Sequence, residues 1–93
     1  MKLKITVHST ANDTDYGGEQ VLNAERGEYR LEEIFRLPFF RIIIDDVIEN
    51  AVCFRLMEGA DSHFYVLEEV GEVAHFHRDT SLGEDNFTFE LAR

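Results

Sequence analysis

Hydrophobic and polar residues alternate most regularly at the two ends of the chain. In "KLKITVH", Leu3, Ile5 and Val7 alternate with Lys2, Lys4, Thr6 and His8; in "NFTFEL", Phe87, Phe89 and Leu91 alternate with Asn86, Thr88 and Glu90. A period of two buries one side of a strand and wets the other, the pattern of antiparallel sheets. The middle reads as a hairpin, with "FFRIIIDDVI" broken by "ENA" and resumed by "VCFRLM". Phe40, Ile42 and Ile44 share one face, as do Val52, Phe54 and Leu56, and Glu49-Asn50 supplies the turn because Asn tolerates positive φ. Phe39 and Ile43 make the first of these strands apolar on both faces, which predicts a central strand covered on both sides by protein or by a partner.

"NAERGEYRL" and "EEVGEVAHF" echo each other, with Gly27 and Gly71 in matching places. Each reads as a tight turn with Gly at positive φ joining two antiparallel strands. "EYRLEEIFRLP" predicts a strand at Glu28 to Glu32 followed by about one helical turn before Pro38. "STANDTDYGGE", "EGADS" and "DTSLGED" read as loops. The sum is an all-β fold, a small antiparallel β-sandwich or jelly-roll-like barrel of about seven or eight strands with at most one short helical turn. With 93 residues, the expectation is one domain over 1–93.

Charge narrows the partners. Asp and Glu outnumber Lys and Arg 19 to 9, for a net charge of −10. Affinity for a phosphate backbone or an anionic lipid surface rests on clustered cations, so neither nucleic acid nor membrane is expected, whereas a basic protein partner stays open; a homodimer is the other partner considered, as cover for the two-sided apolar strand at Ile43. No apolar run approaches a membrane span and the start lacks a signal-peptide pattern, so a cytoplasmic protein is expected. Cys53 is the single cysteine, which excludes an internal disulfide framework and reads as a strand or core position.

"EVAHFHRDT" carries the one pattern with metal-site character. On a strand, His75 and His77 point the same way, with Ala74 and Phe76 opposite. A third ligand is required, and His63 supplies it if "HFYVLEEVGEVAHFH" folds as a hairpin about Val70-Gly71. The first expectation is nonetheless that these are ordinary histidines on the wet face of strands, with no cofactor; the alternative makes His63, His75 and His77 candidate ligands for zinc or another first-row metal. Cupins carry His-x-His on a strand, but with five residues between a preceding Gly and the first His, and a Glu after three or four residues more. Gly71 has only three residues between it and His75, Asp79 is too close, and Glu84 follows His77 after six intervening residues, so the cupin ligands do not carry over.

Other constellations are weaker. In "DTDYGGE", Asp13, Asp15 and Gly18 fit positions one, three and six of an EF-hand-type loop, but Gly17 and Ala24 stand where ligands are required. Asp45 and Asp46 point to opposite faces if the strand continues through them. No P-loop, nucleophile elbow, Rossmann fingerprint, HExxH or CxxC occurs. From "LNAERGEYRL" through "FRIIIDDVIENAVCFRL" to "VGEVAHFHRDTSLGEDNFTFEL", the chain resembles small bacterial β-sandwich proteins of unassigned activity. The resemblance implies the sandwich and transfers no function. The leading expectation is a small acidic non-enzymatic interaction domain. The alternatives are a metal site on the His-x-His strand, including a metal-dependent enzyme, and a small-ligand or carbohydrate module using Tyr16, Tyr29 and Tyr65.

Overall fold

The computed structural model describes residues 1–10, 16–31 and 40–93. The strands are β1 (Lys2–Ser9), β2 (Tyr16–Asn23), β3 (Gly27–Arg30), β4 (Phe40–Ile48), β5 (Ala51–Glu58), β6 (Asp61–Leu67), β7 (Val73–Thr80) and β8 (Gly83–Ala92). They form two four-stranded antiparallel sheets, β2-β1-β8-β7 and β3-β4-β5-β6. The expected all-β sandwich is found. Strand order follows chain order around the molecule and closes where β1 meets β8, as in a flattened up-and-down barrel opened between β2 and β3 and between β6 and β7. The helical turn expected before Pro38, and Phe39, lie outside the described residues.

Alternation decides what is buried. Leu3, Ile5 and Val7 stand opposite Leu91, Phe89 and Phe87 on the inner face of the first sheet. Phe40, Ile42 and Ile44 stand opposite Glu58, Leu56 and Phe54 in the second, and all but Glu58 are buried. The sheets meet through aromatic pairs, Phe40 on Phe87 at 4.8 Å and Phe54 on Phe89 at 5.1 Å between ring centroids. Such contacts add to the burial of apolar area that drives the sheets together. As the two-sided pattern implied, β4 is interior to its sheet.

A β-bulge between Ile44 and Asp46 shifts the register of β4 against β5. The extra residue, Asp45, resets the alternation, so Val47 packs against the core while Asp46 is exposed. The two acids therefore do not alternate across the sheet: Asp45 reaches Arg55 on the outer face, with an oxygen 2.7 Å from Nη2, and Asp46 accepts a bond from the Val47 amide.

Two turn readings are corrected. Gly27 (φ 157°) and Gly71 (φ 94°) do not close hairpins. They lie at the two places where the chain changes sheets, β2 to β3 and β6 to β7. The connector 68–72 docks on the first sheet, with the Gly71 amide donating to the Leu91 carbonyl and the Leu91 amide to the Glu72 carbonyl. That delivers β7 to β8 and away from β6. The segments read as loops also shorten: Tyr16 to Glu19 lie in β2, Asp61-Ser62 in β6, Asp79-Thr80 in β7 and Gly83 to Asp85 in β8.

In the β4–β5 turn the positive φ falls on Glu49 (55°), not on Asn50. The β5–β6 turn places Gly59 at the equivalent first position with φ 60°. A side chain at positive φ costs about 1–2 kcal/mol that glycine avoids. Glu49→Gly is therefore expected to raise stability by about 0.5–1 kcal/mol in urea denaturation, after the cost of a more flexible unfolded chain. A loss of stability would contradict the turn geometry.

Candidate functional site

The structure separates the three histidines singled out in the sequence. His75 and His77 lie on the outer, exposed side of β7, as alternation required. His63 stands opposite Leu56 on the inner side of β6, its ring 4.6 Å from that of Phe76. Its Nε2 is buried and makes no hydrogen bond; the nearest carboxylate oxygen, on Glu58, is 3.8 Å away, beyond hydrogen-bond range. The hairpin that was to bring His63 to His77 does not form, because β6 and β7 belong to different sheets.

His77 instead gathers other neighbours. In the β7–β8 ladder it stands opposite Asn86, and Asp79 opposite Glu84, so four outward side chains form a two-by-two grid. His77 Nδ1 lies 2.6 Å from Asn86 Oδ1, and Nε2 lies 2.9 Å from Asp79 Oδ1 and 3.9 Å from Glu84 Oε2. The ligand atoms of His77, Asp79 and Glu84 all fall within 4.8 Å of one another. His75 is apart from this group, its Nδ1 3.2 Å from Thr88 Oγ1. Glu84 is held from behind: the Thr10 amide donates to its carbonyl at 2.8 Å, and its own amide donates to Thr10 Oγ1 at 3.1 Å. A Cβ at Gly83 would stand 2.3 Å from the Thr10 carbonyl oxygen, so only glycine permits this approach.

The Asn86 amide oxygen first, then the Asp79 carboxylate, stabilise the charged imidazole and raise the pKa of His77 above its ordinary value. With a chelator present, an NMR titration should place His77 above about 6.5, and Asn86→Ala or Asp79→Asn should lower it. Because the folded-state value is the higher one, the associated stability is fully present below about pH 6.5 and is lost as pH rises through the folded value. A folded-state value at or below that of an unfolded peptide would contradict this arrangement.

Inside the same end of the sandwich lies a polar cluster that the alternation hid. The inward series Leu3, Ile5, Val7 continues to Ser9, and Leu91, Phe89, Phe87 continues to Asp85; Ser9 and Asp85 pair across the ladder and are both buried. Ser9 Oγ donates to Asp85. Arg78 donates to Asp85 Oδ2 at 2.6 and 3.1 Å and to Glu58 Oε1 at 3.1 Å, its guanidinium 4.9 Å from the centre of the Phe40 ring. Burial works against the Arg78 charge, and Asp85 and Glu58 more than offset it, so its pKa is raised. This cluster joins the two sheets and closes the end of the core.

The outer face of the second sheet is different. Phe64 and Val66, on the edge strand β6, are 74% and 53% exposed. Cys53, opposite Val66, and Arg55, opposite Phe64, share this face, and the Arg55 guanidinium sits 5.8 Å from the Phe64 ring centre. Tyr29 and Tyr65, proposed stacking surfaces for a sugar, pack instead against the core, Tyr65 beside Phe54 and Phe89. The side chain of Tyr16 and the acids Asp13 and Asp15 lie outside the description.

Among the described residues no helix is long and apolar enough to cross a membrane. No family model matches the chain, and no curated protein or solved structure matches it.

Proposed function

We propose that this protein is an interaction module that takes up an extended, basic and apolar segment of another protein along β6. The observation that carries this reading is the exposure of Phe64 and Val66 at alternate positions of an edge strand. Singly exposed apolar residues need no explanation, but a run along a sheet edge is a template for strand addition. Among the described residues no strand pairs with the outer edge of β6, so its backbone offers main-chain hydrogen bonds, and the two side chains offer an apolar footing for alternate residues of an incoming strand.

Charge selects the occupant. The chain carries −10 overall; Asp61 opens β6, and Glu68, Glu69 and Glu72 follow it in sequence. A second copy would bring the same excess of acids to the edge, whereas a segment with Lys or Arg between apolar residues would be attracted to it.

The test is selection from a displayed library of extended peptides, followed by titration of the winners against the protein and its Phe64→Glu and Val66→Glu variants. Peptides with alternating basic and apolar residues are expected, with binding that weakens with salt and falls at least about tenfold on either substitution. Both sites are exposed, so the variants should keep the fold, as circular dichroism would show. Recovery of no peptide, or of peptides indifferent to both variants, would remove the reading. A concentration-dependent dimer broken by Phe64→Glu would assign the edge to self-association instead.

A further inference from the structure

We propose that the outer face of the β7–β8 hairpin binds one first-row divalent metal ion, Zn²⁺ being the type case, through His77 Nε2, Asp79 and Glu84, with Asn86 as the positioning residue behind the imidazole. Strand geometry supplies the convergence. His77 and Asp79 are two apart on β7 and share a face, and β8 places Asn86 and Glu84 directly across from them. The three donor atoms come from adjacent, paired strands of a tight hairpin, and Thr10 clamps the backbone of Glu84 on its far side.

Distances fit an ion. With metal–ligand bonds of about 2.0–2.2 Å, donor atoms in a tetrahedral shell stand about 3.4 Å apart, and closer when the ligands are cis in a larger shell. The separations from Nε2, 2.9 Å to Asp79 and 3.9 Å to Glu84, bracket that value. Only the exposed arms of the two acids must close on each other, since the widest separation in the group stays within 4.8 Å. Open coordination positions face water.

The imidazole is also oriented for ligation by its neighbour across the ladder. Asn86 presents Oδ1 to Nδ1 at 2.6 Å, so that nitrogen carries the hydrogen. In the neutral ring the lone pair then belongs to Nε2, and it faces the Asp79 oxygen at 2.9 Å. A metal ion there would take the place of a proton on Nε2, bound by the imidazole and the carboxylate together. A hydrogen bond at the remote ring nitrogen is also the arrangement that orients metal-ligating histidines. His8 lies in the same row of the sheet, across Asn86 from His77; two strand spacings, about 10 Å, remove it from the shell.

The donor set chooses the metal class. An all-oxygen group suits Ca²⁺ or Mg²⁺, while an imidazole nitrogen with two carboxylates suits Zn²⁺ and its first-row neighbours. The site is on the opposite sheet from Phe64, so metal binding and peptide binding stand or fall separately.

The experiment is calorimetric titration of Zn²⁺ alone into the tag-free chain, followed by NMR of the histidine rings. One equivalent is expected to bind, with the largest shifts at His77. His77→Ala should abolish the saturable step, and Asp79→Asn and Glu84→Gln should each weaken it at least about tenfold. Asn86→Ala should weaken it about 10- to 100-fold although it removes neither a charge nor a ligand. His75→Ala should leave it unchanged, and equal concentrations of Mg²⁺ or Ca²⁺ should not displace the ion. Each of these sites is at the surface, and circular dichroism checks that the variants are folded. Absence of a saturable step, several weak equivalents indifferent to His77→Ala, no effect of Asn86→Ala, or equal competition by Mg²⁺ would each overturn the site, the last two marking it as a diffuse acidic patch.

Discussion

Asp85→Ala is expected to cost about 3 kcal/mol or more of folding stability, a value typical of removing one partner from a buried ion pair. Asp85 is 1% exposed and accepts bonds from both Arg78 and Ser9. Alanine leaves the Arg78 guanidinium with Glu58 alone on the polar side and the Phe40 ring beneath it. Small domains have about 5–15 kcal/mol in total, so this single change removes a large share. The pair need not be a net stabiliser compared with an apolar replacement of similar size. The double variant Arg78→Met with Asp85→Leu should therefore recover most of the loss. Urea denaturation of wild type, Asp85→Ala and the double variant checks both statements. A loss under 1 kcal/mol for Asp85→Ala would mean that the cluster contributes little to closing the sandwich.

Phe89→Ala should be at least as damaging, by about 3–5 kcal/mol, because it removes a fully buried ring and leaves a cavity between two sheets. Phe89 is 0% exposed, stands opposite Ile5 in its own sheet and contacts Phe54 and Tyr65 of the other. Neighbours held in two hydrogen-bonded sheets have little freedom to collapse into the space. The melting temperature should fall by at least about 12 °C, taking 4 °C or more for each kcal/mol in a domain of this size. The adjacent outward substitution Thr88→Ala provides the comparison, with an effect expected within about 0.5–1 kcal/mol. Comparable effects at the two positions would contradict the assignment of inner and outer faces.

Much of the architecture is legible in the alternation of the sequence. The alternation around Leu3, Ile5 and Val7 and around Phe87, Phe89 and Leu91 is strict, and each of these residues is buried. The pairing of β4 with β5 was legible because its turn is two residues long and leaves no other partner within reach. The polar end of the core was not. Ser9 and Asp85 continue the inward series by simple counting, yet their residue types mark loops, and nothing in one strand announces that a buried acid will meet Arg78 from the next.

The metal candidate shows the same division. The shared outward face of His75 and His77 followed from their spacing alone. Joining His63 to them requires a hairpin about Gly71, and the connector instead carries the chain to the other sheet. Asp79 and Glu84 do not fit a ligand pattern by spacing, yet cross-strand register brings them to His77.

The sequence by itself determined that the chain is strand-built, which side of most strands is apolar, and that the surface is strongly acidic, because these depend on residue type and a period of two. Only the tertiary structure decided which strands are neighbours, which end of the core is polar and which side chains converge on His77. Those outcomes depend on where each connector delivers the next strand and on how β1 and β8, at opposite ends of the chain, pair. Local propensity carries no record of that long-range choice.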